Sequence, residues 1–162
     1  CGRAGSANGY CSCSAADIER YRTRLSGPLA DRIDLHVHVG AVSIRSLGAD
    51  GDEEPSVAVR SRVEAARVRQ RARYSKRDGV RHNADVPGRW LLSNGGLTAA
   101  ARIILEQAAE RLELSARGYH RALRVARTIA DLDGVEDIVD SAVAEALRYR
   151  PAQAHVPAAP RA

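Results

Sequence analysis

The chain is short of lysine, cysteine and methionine, and each shortage excludes something. Of its twenty-five basic residues all but Lys76 are arginine. A phosphate-cradling Walker A loop needs Gly-x-x-x-x-Gly-Lys followed by Ser or Thr, with the lysine reaching the β and γ phosphates. Lys76 stands between Ser75 and Arg77, so no such loop is present. The acids Asp52-Glu53-Glu54 follow Gly51 rather than an apolar strand, which removes a Walker B reading. The metalloprotease His-Glu-x-x-His, the hydrolase Gly-x-Ser-x-Gly and the dinucleotide Gly-x-Gly-x-x-Gly patterns are likewise missing. Three cysteines without a secretory pattern do not make a disulfide scaffold. No apolar run approaches the roughly 18 residues of a spanning helix, and no signal-peptide pattern occurs, so we expect a soluble cytoplasmic protein. With no methionine and Cys1 at its start, the chain reads as the C-terminal part of a longer one. The net charge of +5 admits a polyanionic partner such as DNA without requiring one.

Local patterns divide the chain into a mixed first part and a helical second part. Residues 1–13 are rich in Gly, Ser and Cys and read as a loop. Ser14 is an N-cap for a helix from Ala15 to about Arg24, and Ser26-Gly27-Pro28 breaks the chain. A short helical turn, Leu29 to Arg32, leads into Ile33-Asp34-Leu35-His36-Val37-His38-Val39, whose alternation predicts a strand with Ile33, Leu35, Val37 and Val39 facing a core. One such strand needs a sheet to join, a second indication of a longer protein. A long helix is expected from Ser56 to about Arg73, with a thin stripe of Val59, Val63, Ala66 and Gln70. Residues 75–97 read as irregular, with one helical turn around Trp90. Three helices follow: Ala99–Leu112 capped by Thr98, with Ala100, Ile104, Ala108 and Leu112 inward; Ala116–Leu132 capped by Ser115 and stopped by Gly134; and about Val139 to Tyr149. Residues 151–162 form a Pro/Ala tail expected to be disordered.

Three ordered runs carry a resemblance. The segment Arg22-Thr23-Arg24-Leu25-Ser26-Gly27-Pro28-Leu29-Ala30-Asp31-Arg32-Ile33-Asp34-Leu35 resembles a segment of the magnesium-chelatase-like AAA+ ATPases of the ComM competence group. The run from Leu114 through Leu132, with its Arg124-Val125-Ala126-Arg127-Thr128-Ile129-Ala130-Asp131-Leu132 end, and the run Ala144 to Arg150 are similar to two further segments of that family. The resemblance implies that residues 1–55 finish an α/β AAA+ core, that residues 56–150 form a mostly helical lid domain, and that the Walker motifs lie upstream. It implies an ATP- and Mg2+-dependent motor, working as a homo-oligomeric ring, a hexamer, in DNA branch migration or as a helicase during competence. On it Arg32 is an arginine finger acting on a neighbouring subunit, and Arg117 a sensor-2 arginine touching the nucleotide of its own subunit. A planar, permanently charged guanidinium suits both tasks. The segment alone, without its Walker motifs, is expected to be inactive.

Other readings stand beside this one. Arg32 could instead pair with Asp31 or Asp34, and Arg117 could be a solvated helix-start residue. The parent could be the motor subunit of a complex that inserts magnesium into a porphyrin, or the chain could be a helical interaction module without catalysis. Cys1, Cys11 and Cys13 match the second half of the family's cysteine loop and form a candidate structural zinc site, with reduced thiols as the alternative. His36 and His38, on one side of the expected strand, lack a third ligand at suitable spacing. Arg121, Arg124 and Arg127 read as surface or interface charges, and Arg60, Arg62, Arg67, Arg69, Arg71 and Arg73, spread around most of the long helix, as a solvated face that also meets a neighbouring subunit, with contact to a DNA phosphate backbone as the alternative.

Overall fold

The computed structural model describes residues 11–24, 32–37, 39 and 54–150. Cys1, the turn 29–31, His38 and the tail 151–162 lie outside the described residues. The elements are α1 (Ala15–Arg22), α2 (Ser56–Arg73), α3 (Gly88–Asn94), α4 (Ala99–Arg111), α5 (Ala116–Leu132) and α6 (Asp140–Arg148). The architecture is thus mostly helical.

The caps read from the sequence set the helix starts. Ser14 and Asp17 exchange hydrogen bonds in a capping box, which satisfies two of the orphan donors of α1. Thr98 Oγ1 accepts from Ala101 N at 3.2 Å and Ser115 Oγ from Gly118 N at 3.0 Å. Gly134 ends α5 at φ +77, a left-handed conformation that a side chain would strain. Irregular residues 75–97 contain α3, longer than the single turn expected around Trp90.

Helix α5 is the centre of the helical unit and packs against α2, α3, α4 and α6. Leu123 and Ala126 of α5, Leu91 of α3, Leu105 of α4, Val143 of α6, and Val86 and Ile138 from the connections are fully buried in one cluster. Each such aliphatic side chain larger than alanine contributes about 1.5–3 kcal/mol by leaving water. A parallel bridge between Leu97 and Ile138, closed by Ile138 N to Gly96 O at 2.8 Å, ties the entry of α4 to the entry of α6. That bridge and the Thr98 cap set the rotation of α4. Ala101 and Leu105 are the fully buried positions; of the expected Ala100, Ile104, Ala108 and Leu112, Ala100 is exposed and the others are half-buried, Ile104 packing against the core. The stripe on α2 is also narrower than expected: Ala66 and Gln70 are buried, whereas Val59 and Val63 stay open to solvent.

The expected strand is a second correction. Residues 32–37 and 39 form no strand among the described residues, and Ile33, Leu35, Val37 and Val39 are 36%, 51%, 67% and 81% exposed. A strand needs sheet neighbours at its edges and a packed layer over its apolar face, and no sheet partner for this segment is found among the described residues. The segment is instead tethered to the helices, by Asp34 Oδ1 to Arg121 Nε at 3.1 Å and by His36 N donating to Tyr149 O at 2.8 Å.

The first residue of α3 lies against α5 so closely that only glycine fits. A Cβ on Gly88 would stand 2.3 Å from His120 Cγ and 2.5 Å from its Cβ. We expect Gly88→Ala to cost about 1–3 kcal/mol, the range of an overpacked contact. Urea denaturation of that variant and of Gly88→Ala/His120→Ala checks this: the second change should recover part of the loss, and additive losses would contradict it.

Candidate functional site

Arg117 is the second residue of α5, one residue before the Gly118 N–H that the Ser115 cap engages. Its side chain is exposed, and it makes no ion pair or hydrogen bond with the described residues. A cation gains nothing from the positive end of a helix dipole. The guanidinium is therefore held at the rim of a rigid seventeen-residue helix without any stabilising partner in the unit. This arrangement suits an arginine whose partner is an external anion.

Arg32 is exposed in a turn. The intramolecular alternative with Asp34 is not adopted: the Asp34 carboxylate goes to Arg121, four residues after Arg117 on α5. Arg32 thus sits two residues before an anchor to the helix that carries Arg117. No contact between Arg32 and Arg117 is formed.

The sequence reading missed the most heavily bonded polar cluster in the unit. Arg127, which the sequence suggests is a surface or interface charge, is completely buried. Its Nη1 donates to Gly95 O at 2.9 Å and Glu136 O at 2.6 Å, and its Nη2 to Val135 O at 2.9 Å. The same Nη2 lies 3.2 Å from Asp131 Oδ1, also fully buried, one turn along α5. Arg73 of α2 grips that carboxylate with both nitrogens, Nη1 to Oδ2 at 2.9 Å and Nη2 to Oδ1. Asn83 completes the cluster: its Nδ2 donates to Asp131 Oδ2 at 2.9 Å and to Thr128 Oγ1 at 3.0 Å, and its Oδ1 accepts from Tyr74 OH at 2.7 Å. Burial pulls the Arg127 guanidinium below its ordinary pKa, and Asp131 opposes that pull. A signal existed in the sequence, because Arg127 stands four residues after Leu123 and between Ala126 and Ala130, on the apolar stripe itself. Arg121 and Arg124 are also largely covered: Arg121 reaches Asp34, and Arg124 Nε donates to Val86 O at 3.1 Å.

The arginines of α2 sort by face. At roughly 100° per residue, Arg62, Arg69 and Arg73 lie within about 40° of one another. All three have partners: Arg62 pairs with Glu54 at 2.7 Å, Arg69 donates to Asp131 O at 3.4 Å, and Arg73 holds the Asp131 carboxylate. Arg60, Arg67 and Arg71 fall on the opposite side of the helix, exposed. The even spread expected from the sequence is in fact two opposed stripes.

Cys11 and Cys13 are half-buried thiols outside any disulfide, and the Cys13 pKa is raised chiefly by its hydrogen bond with Cys11. Among the described residues no three His, Cys, Asp or Glu side chains gather as a metal would require. No described helix is long and apolar enough to cross a membrane.

Comparison with known proteins matches the chain to two adjoining family descriptions. Residues 53–150 match "Magnesium chelatase, subunit ChlI C-terminal", and residues 1–47 match "Magnesium chelatase, subunit ChlI". Competence protein ComM of Haemophilus influenzae is 41% identical over 138 residues, 85% of this chain and 26% of that protein. An uncharacterised protein of Mycobacterium bovis is 40% identical over 140 residues, covering 86% and 27% of the two chains, and YifB of Escherichia coli is 35% identical over 143 residues, covering 85% and 26%. The chain spans about a quarter of the length of these curated relatives.

Proposed function

Because the chain belongs to the magnesium-chelatase-like AAA+ family and is homologous to ComM, we propose that it is the C-terminal part of an ATP-driven ring motor that acts on DNA, with Arg117 and Arg32 as its contribution to the nucleotide sites. Residues 56–150 serve as the helical lid. Residues 33–39 join the sheet of the ATPase core by their backbone edge, and the layer packed on that sheet covers Ile33, Leu35, Val37 and Val39, which are exposed here. The observation that carries the reading is Arg117, an exposed guanidinium without an ion-pair partner at the start of a capped, deeply packed helix.

ATP with Mg2+ supplies the phosphoanhydride to be cleaved. Arg117 binds phosphate oxygen from within the same subunit, and its planar fork permits two parallel hydrogen bonds. Arg32 reaches the site of the next subunit and stabilises charge developing on the transferred phosphoryl group. The Asp131 cluster holds α2 rigidly to α5, so that closure of the lid moves Arg117 as part of one body. The DNA reading is supported by the homology to ComM and by the arginine-rich excess of +5. The zinc reading of Cys1, Cys11 and Cys13 rests on the resemblance to the family's cysteine loop; metal analysis of the intact protein decides it, one zinc per chain supporting it and none removing it.

ATP hydrolysis by the intact protein, with and without a branched DNA duplex, tests the proposal. We expect a several-fold rise in turnover with the duplex. Turnover indifferent to DNA would contradict the DNA reading and favour the family's other chemistry, insertion of magnesium into a porphyrin.

A further inference from the structure

The outer stripe of α2 does not run alone. The 81–85 turn comes against it, and Arg67, Arg71, Arg81 and His82 together line a cleft of about 420 Å³. The turn is locked by Asp85, whose Oδ2 accepts the backbone N–H groups of Arg81 at 3.0 Å and His82 at 2.9 Å. That carboxylate is therefore committed to the backbone, and the Arg81 side chain is presented to the cleft. None of the three guanidiniums has an ion-pair or hydrogen-bond partner among the described residues. Glu64, the one acid on this face of the helix, makes no ion pair there either. The opposite stripe, by contrast, is matched arginine by arginine, to Glu54 and Asp131.

Like charges converge at a cost, and the one carboxylate beside Arg81 and His82, that of Asp85, offsets it only in part while its Oδ2 shapes the turn. The lining has no apolar member, and its one ring is the His82 imidazole. A protein–protein interface needs an apolar or aromatic centre, and single-strand recognition by stacking uses several successive rings. The cleft supplies neither. What remains is a sequence-independent cradle for phosphate oxygens, with Arg67 and Arg71 about 6 Å apart along the helix axis and Arg60 extending the stripe by two further turns.

We propose that Arg67, Arg71 and Arg81, with His82 beside them, contact the phosphate backbone of DNA on the outer face of the helical unit, a site separate from Arg117 and Arg32. This rests on the reading of the intact protein as a DNA-acting motor. The test is fluorescence anisotropy of a labelled branched duplex with the full-length protein at several salt concentrations, for wild type, Arg67→Gln/Arg71→Gln/Arg81→Gln and the exposed α4 control Arg111→Gln. Each phosphate contact contributes about 0.9 to the slope of log affinity against log salt. The triple variant should bind at least about ten-fold more weakly with a slope smaller by about two to three, whereas Arg111→Gln should match wild type. All three proteins should melt together, since the changed side chains are exposed. Wild-type binding with an undiminished affinity or salt slope in the triple variant would overturn the cleft and leave the DNA reading intact. Loss of ring assembly with DNA affinity retained would also overturn it, making the cleft a subunit contact. Failure of the wild-type protein to bind any duplex would remove the DNA reading and this inference together.

Discussion

Replacing Asp131 by alanine is expected to destabilise the helical unit by about 3–5 kcal/mol, the cost of removing one member of a buried ion-pair network. That is a large part of the 5–15 kcal/mol a domain has in total. The carboxylate is fully buried between Arg127 and Arg73 and also accepts from Asn83. Without it, Arg127 stays in the core as an uncompensated cation, and α2 loses its chief polar attachment to α5. Urea denaturation followed by Trp90, the only tryptophan of the chain, reports on this region directly, since its ring packs 5.6 Å from that of Tyr74. Asp131→Asn should cost less, because the amide keeps the shape and some of the hydrogen bonds. A loss below about 1 kcal/mol for Asp131→Ala, the ordinary worth of an exposed pair, would show that the cluster does not fasten the two helices.

The second large effect concerns turnover rather than stability. In the intact protein, Arg32→Ala should lower ATP hydrolysis by about 10³-fold or more, the scale of an arginine finger in phosphoryl transfer. Arg117→Ala should lower it as well, with a weakened apparent affinity for ATP as its distinguishing sign, because it removes a contact within the subunit that binds the nucleotide. Both side chains are exposed, and Arg117 has no ion-pair or hydrogen-bond partner in the unit. Neither substitution should therefore move the melting temperature. A fall in activity that tracked a fall in stability would return these arginines to a structural role.

How far the sequence showed these features depends on the range of the forces involved. Ser14, Thr98 and Ser115 were legible as caps because a cap is settled within four residues, and the helices begin where those residues say. Helix α5 was legible because its Leu123, Ala126 and Ile129 repeat belongs to a fully packed face. The rotation of α4 was not, because it is set by a bridge between Leu97 and Ile138, forty-one residues apart. The burial of Arg127 escaped notice for a similar reason. Its partners are the carbonyls of Gly95, Val135 and Glu136, which only the folded connections bring together. Residues 33–39 show the converse case. Their alternation predicted a core-facing strand that the described residues do not form, because a pattern does not reveal whether a covering surface exists, and Ile33, Leu35, Val37 and Val39 stay exposed. Of the candidate site, Arg32 and Arg117 were singled out through the family runs that contain them. The cleft of Arg67, Arg71 and Arg81 required the turn at Asp85 to be folded before its charges came together.

Mixing two inactive variants tests the central claim most directly. If Arg117 serves its own subunit and Arg32 the next one, an Arg32→Ala subunit beside an Arg117→Ala subunit rebuilds one complete site. In an equal mixture of the two full-length variants, random head-to-tail assembly restores about a quarter of the sites. We predict ATP turnover near a quarter of the wild-type rate from two proteins that are each nearly silent alone. A mixture no more active than its components, or single variants that hydrolyse ATP at the wild-type rate, would contradict the assignment of the two arginines.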